Sequence, residues 1–186
     1  MNPCLFLHLD IDNINIGLGR STVDKTYDGF VKYKFLKQST GTKNMPVSAV
    51  WISHMGVTTL KWPQPDRENY ASSRLHYTHQ LLVARKINSG LSIQLSPTVV
   101  HKNLVDSSQY KNDILSLGIG VRQKLTSRTT LNMEYFYVLP NQLEEDKTNA
   151  LSIGFDVETG GHVFQLFFTN SSGQFEKAFI TDNRTK

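Results

Sequence analysis

No stretch of this 186-residue chain approaches the ~20 consecutive apolar residues that a membrane-crossing helix requires. That excludes a helical membrane protein and leaves a β-barrel open, because barrel strands alternate their apolar side chains with polar ones. Cysteine is almost absent. Cys4 stands alone, so no disulfide framework exists, and it is read as an ordinary strand residue rather than an acylation site. Residues 1–12 carry apolar side chains but no basic segment and no small-residue cleavage site, so no export signal is present. An exported protein needs one, so the expectation is a fragment whose true N-terminus lies upstream. Charge of one sign is scarce too: the net charge is +4 and the 20 Lys and Arg are scattered, so nucleic acid is not an expected partner.

Motifs for chemistry are also missing. His76 and His79 are three apart and would point to opposite faces of a strand, so they cannot chelate together. His8, His54, His101 and His162 show no ligand spacing with Cys or carboxylates. The Glu144-Glu145-Asp146 run is read as a solvated loop rather than a calcium site. Gly17-Leu18-Gly19-Arg20 lacks the Lys-Ser/Thr ending of a phosphate loop, and no serine sits in a nucleophile elbow. The expectation is a protein with no catalytic residues, no metal and no cofactor.

What is present is period-two alternation, repeated about nine times with no competing helical periodicity. It predicts strands near 13–20, 28–37, 46–57, 73–86, 90–101, 113–124, 129–139, 149–158 and 162–169. The third is ambiguous, since Val47, Ala49 and Trp51 compete with Val50 and Ile52 for the apolar face. The last four alternate most cleanly. Leu117, Ile119, Tyr135, Ile153, Phe155, Phe164, Leu166 and Phe168 fall on their apolar faces, the candidates for contact with lipid. The opposite faces carry Lys32, Lys34, Arg74, His76, Arg122, Glu134 and Asp156, the candidates for a lumen. The hairpin register predicts Glu134 diagonal to Arg122 and Asp156 near Asn132, an ion-pair lattice filling the lumen.

Connection lengths separate a membrane barrel from a soluble one. Short turns at 88–90, 126–128 and 159–161 alternate with polar loops at 58–72, 102–112 and 140–148. In an up-and-down meander alternate connections share an end, so short turns gather at one end and long loops at the other, the outer-membrane pattern. Most strands are long enough for a tilted span of ~30 Å of hydrocarbon. Tyr27, Trp51, Phe136, Tyr137 and Phe168 are expected at the loop ends as an aromatic belt.

Several segments carry a family resemblance: Gly19-Arg20-Ser21, Lys25-Thr26-Tyr27-Asp28-Gly29-Phe30 leading into Lys32-Tyr33-Lys34, and Glu158 to Leu166 followed by Phe168-Thr169-Asn170-Ser171. The chain resembles an uncharacterised β-barrel family, a domain of unknown function from outer membranes of Bacteroidetes. The resemblance spans nearly the whole chain and implies a fold and a location, but no reaction. Members usually carry an export signal and a closing strand ending on an aromatic residue. Neither is found before Met1 or in Asn183-Arg184-Thr185-Lys186, which again implies a fragment.

The expected fold is therefore all-β: one domain over 1–186, an antiparallel up-and-down transmembrane β-barrel, incomplete, with about nine strands. The expected role is structural or pore-forming, in a bacterial outer membrane and without enzymatic activity. Expected partners are the lipid bilayer, small solutes in the lumen and, for the full-length protein, the barrel-assembly machinery. The alternative is a soluble β-barrel that binds an apolar small molecule inside.

Overall fold

The computed structural model describes residues 5–62, 65–66, 68–105, 107, 109–171, 173 and 175–183. Cys4 and the closing Arg184-Thr185-Lys186 lie outside the described residues. The chain forms one ten-stranded antiparallel sheet in which every strand pairs with its neighbours in sequence. The strands are β1 (Leu5–Ile11), β2 (Ile14–Arg20), β3 (Thr26–Leu36), β4 (Ser48–Thr58), β5 (Leu75–Lys86), β6 (Leu91–Lys102), β7 (Asp113–Lys124), β8 (Thr129–Val138), β9 (Ala150–Thr159) and β10 (His162–Thr169). Among the described residues β1 and β10 do not pair, so the barrel wall is not closed. A short helix, α1 (Glu176–Thr181), follows the last strand.

About nine strands were expected and ten are found among the described residues. The addition is β1, which pairs in full register with β2 across a two-residue turn, Ile11 opposite Ile14. Asp12 takes a positive φ of 49° there, the backbone that lets so tight a turn follow the twist of the strands. The ambiguous third strand resolves as β4, from Ser48, which leaves Val47 outside it.

The connections fall at two ends. Segments 21–25, 59–74, 103–112, 139–149 and the chain after β10 lie at one end, and 12–13, 37–47, 87–90, 125–128 and 160–161 at the other. The second end is not uniformly short. The 37–47 connection is tied down by a bridge between Ser39 and Met45, and the Gln38 side chain bonds both backbone polar groups of Lys86. A register shift at Phe35 bends β3 into this connection, as a bulge does.

Strand alternation gives the sheet two unlike faces. The outer one is apolar from edge to edge: Leu7, Leu9, Ile16, Leu18, Val31, Met55, Leu95, Leu117, Ile119, Ile153, Phe164 and Leu166 are all exposed. Phe155 lies on this face half-buried. The inner face carries the buried polar side chains Thr26, Asp28, His54, His76, Thr78, Gln80, Ser96, Thr98, Ser116 and Thr130. This is the reverse of a soluble barrel, whose apolar side chains turn inward.

Candidate functional site: a lumen plugged at one end

The inner face is where side chains of many strands meet. Lys32, Lys34, His76, Arg122, Glu134 and Asp156 all fall on it by register. Arg74 does not belong to a strand. It ends a 3-10 turn, Ala71–Arg74, ahead of β5. Its guanidinium lies 3.9 Å over the Trp62 ring and donates to the carbonyls of Thr58 and Leu60, so it braces the long loop.

The expected lattice exists, with Asp156 beside Asn132 as expected and a different partner for Arg122. Asp156 is its hub: it accepts from Asn132 Nδ2 at 2.8 Å and from Gln165 Nε2 at 3.1 Å, with Arg122 Nη2 at 3.9 Å. Glu134 is diagonal to Arg122 as the register required, yet the arginine pairs with Asp156. Glu134 instead faces Gly120 on one strand and Ser152 on the other. A second chain of bonds runs from Gln80 to Thr98 at 3.0 Å and from Gln94 to Ser96 at 3.1 Å. Gln80, Gln94, Arg122, Asn132, Glu134, Asp156 and Gln165 line an open cavity of about 790 Å³ on the inner face, with Phe136, Phe167, Phe179 and Ile180 among its apolar lining.

The other half of the lumen is different. Toward the long-loop end the inner face of β6–β9 turns apolar, with Val100, Ile114, Phe136, Val138 and Ala150 buried. Phe136 was expected in the aromatic belt. It points inward instead, edge-on to Phe179 at 5.6 Å, because α1 covers it. Ile180 of α1 is fully buried in the same cluster. Trp51 is also displaced from the expected belt: it is on the outer face, but beside Tyr33 and Leu81 near the turn end. Tyr27, Tyr137 and Phe168 do lie outside at the loop end, opposite Val57, Leu117 and Ile153.

Charged side chains fasten α1 to the rim. Lys177 Nζ lies 2.6 Å from Asp182 and 3.7 Å from Asp24, and Lys102 Nζ reaches Asp182 at 3.4 Å and Glu144 at 3.8 Å. Glu144, from the acidic run read as solvated, is thus partly recruited. Burial pushes the Asp182 carboxyl up, but Lys177, Lys102 and the hydrogen bonds from Lys177 and Thr181 outweigh it and hold it below the usual carboxylate range. Burial works against the charged Lys177 as well, yet Asp182, Asp24 and Glu144 raise it above the ordinary lysine value. The helix also caps the wall through its backbone neighbours: Thr148 N–H donates to the Asn183 carbonyl at 2.7 Å.

Beneath the start of α1 lies a buried polar group that the sequence reading did not assemble. His54 on β4 sits between Asp28 on β3 and Glu176 on α1, its Nε2 3.5 Å from a carboxylate oxygen of each. His76 on β5 lies across Gly56, the residue opposite it, where a Cβ would collide with the ring. Phe175 covers that imidazole at 5.6 Å. His79 is on the outer face, stacked on Trp51 at 5.9 Å, so the two histidines do part to opposite faces as expected.

An apolar outer face around a polar, partly plugged interior is the anatomy of a membrane barrel. The model of one family, the membrane-bound β-barrel domain (DUF5777), matches residues 10–186. The chain belongs to this family. No curated protein matches it. Family membership carries contact with a lipid bilayer, and the family's function is unknown. The matched span starts inside β1 and includes α1, so the plug segment is part of the domain that the family defines.

Proposed function

We propose that this domain is an outer-membrane barrel with a structural or, once unplugged, pore-forming role, and without catalytic activity. The observation that carries the reading is the two-faced wall: Leu117, Ile119, Tyr135, Ile153, Phe155, Phe164, Leu166 and Phe168 on the outer face would meet lipid, and the Asp156 hub would face water inside. The concentration of longer loops at one end supports the outer membrane as the location. The side chains of the lumen are engaged with one another as a supporting lattice, which favours a structural role for them over a reacting one. Delivery by the barrel-assembly machinery would follow from that location, and small hydrophilic solutes fit the polar cavity. The soluble alternative, with its apolar side chains gathered around an internal ligand, conflicts with the exposed outer face and with the family.

Electrical recording in planar bilayers tests the proposal. Full-length protein should insert and stay largely closed, and deletion of 175–183 should produce steps of higher conductance. A steady open current from protein whose α1 remains docked would defeat the plugged-lumen reading. Protein that folds without lipid or detergent would defeat the membrane assignment.

A further inference from the structure

The two mouths of the lumen carry charge differently. At the long-loop mouth Lys102, Lys147 and Lys177 each meet a carboxylate, at 3.4, 3.7 and 2.6 Å. At the turn-end mouth cations are left over. Register places Lys86 of β5 and Arg122 and Lys124 of β7 on the inner face there, and Arg128 stands in the turn that follows β7. Of these four, among the described residues, only Arg122 has an ion pair, the 3.9 Å contact with Asp156.

All four line one chamber of about 350 Å³, and Ser89, Ser92, Ser127 and Thr130 add hydroxyls to its wall. Two carboxylates share it. Asp156 is already held by Asn132, Gln165 and Arg122, which leaves Glu158 against three unpaired cations. The backbone holds the chamber in shape. Lys124 N–H donates to the Gly90 carbonyl at 2.7 Å, and Glu158 N–H to the Arg128 carbonyl at 2.8 Å. These bonds tie the 87–90 turn to β7 and the 125–128 turn to β9. Arg122 and Asp156 also line the larger lumen cavity, so the chamber borders it. Lys32 and Lys34, on the inner face of β3 toward the same end and also without a carboxylate partner among the described residues, extend the positive field.

Cations gathered without counter-charge repel, and an anion between them relieves the repulsion. Ammonium and guanidinium groups give it charge-assisted hydrogen bonds, and a guanidinium matches a phosphate with two parallel N–H···O bonds. Serine and threonine hydroxyls can donate to the oxygens that remain. Rings of Lys and Arg are how a pore favours anions.

We propose that Lys86, Arg122, Lys124 and Arg128 form a binding site for phosphate-type oxyanions, which gathers phosphate-bearing solutes at the turn-end mouth of the lumen. The site deepens the reading of the inner face as the wetted side and rests on it.

Backbone amide NMR of the full chain in non-ionic, phosphate-free micelles tests it, with inorganic phosphate titrated at constant ionic strength. Amides of 86–92 and 122–130 should shift saturably, with an apparent Kd of roughly 1 mM or tighter, the scale of a few charge-assisted hydrogen bonds. Amides of 139–149, at the other mouth, should stay in place. Lys124→Gln and Arg128→Gln should each weaken the affinity roughly tenfold, the loss of one such bond, and Lys111→Gln in a long loop should not. Anionic phospholipid added to the micelles should leave the phosphate bound. Shifts that never saturate, that appear equally at both mouths or that survive both substitutions overturn the proposal. Displacement by the phospholipid assigns the site to lipid headgroups and also overturns it. Protein that folds without detergent defeats the reading of the wetted face, whereas micelle-folded protein indifferent to phosphate defeats the site alone.

Discussion

The two ends of the lumen are built by the same strands and differ in what covers them. At the turn end the inner face is polar and its side chains hold one another: Asp156 with Asn132, Gln165 and Arg122. At the long-loop end the inner face of β6–β9 carries Val100, Ile114, Phe136, Val138 and Ala150, packed under Ile180, while β3–β5 bring the buried Asp28, His54 and His76. Strands β6–β9 are apolar on both sides there, outward to the membrane side and inward to the helix. The contrast teaches that the lumen wall turns apolar where apolar side chains of the helix pack on it, and stays polar where the helix brings a charged one, as Glu176 does to His54. Where the chain folds back as a plug, the wall needs a second apolar face, and strict alternation gives way.

The largest test strikes the plugged end. Ile180→Ala should cost about 2–5 kcal/mol of α1 docking, the usual penalty for an emptied core site, read as lost amide protection in 176–183 with strands β6–β8 unchanged. If the strands unfold with it, the two ends are a single cooperative unit and the contrast drawn above is false.

On the outer face the ends should not differ. Ile153→Arg, in mid-strand, should cost roughly 2–4 kcal/mol in a bilayer-folded protein, measured by denaturant titration in lipid. A change near zero would mean that this face does not meet hydrocarbon.

Two glycines of β7 sharpen the comparison further. A Cβ at Gly118 would lie 2.6 Å from the ring of Phe136, under the plug, whereas one at Gly120 would meet Gln94 Cβ at 3.5 Å. Gly118→Ala should destabilise by about 1–3 kcal/mol through overpacking, and Gly120→Ala should cost far less, compared by thermal melting in the same detergent. Equal costs would place the boundary between the tight and the open half elsewhere.

The smallest effect is electrostatic and confined to the rim. Asp182 lies below its usual range in the folded protein, so its share of docking is present above an unfolded carboxylate's pKa of about 4 and is lost as the pH falls below that through its folded value. Lys177 lies above its usual range, so its share is complete below about pH 10.4 and is lost as the pH rises through its folded value. Exchange of the α1 amides followed to both extremes should show two losses, and Asp182→Asn should remove the acidic one while weakening the alkaline one.

Much of the wall was legible because burial on one side of a sheet writes itself as period two. β7, from Asp113 to Lys124, and β10, from His162 to Thr169, have the expected limits. β1 carried the same signal in Leu7, Leu9 and Ile11 against His8 and Asp10, followed by the Asp12-Asn13 turn, and was missed because the segment was weighed as a leader. The doubled apolar runs were visible too: Val99-Val100, Ile114-Leu115 and Phe136-Tyr137-Val138 break the alternation at the loop end of β6, β7 and β8. They mark where the inner face is covered, although nothing in them says by what. The site itself was hidden because its members come from β3, β4, β5 and α1, and only pairing register and the return of the chain bring them together.

By itself the sequence determined the strands, their two faces and the gathering of longer loops at one end, because each follows from local spacing along the chain. Only the tertiary structure decided that α1 is a helix and a plug. Six residues are too few to be stably helical alone or to show a helical period, so its form depends on packing into the lumen. The same packing chose Asp156 over Glu134 as the partner of Arg122 and set His54 between two carboxylates, since strand register brings side chains near one another but three-dimensional reach selects which of them meet.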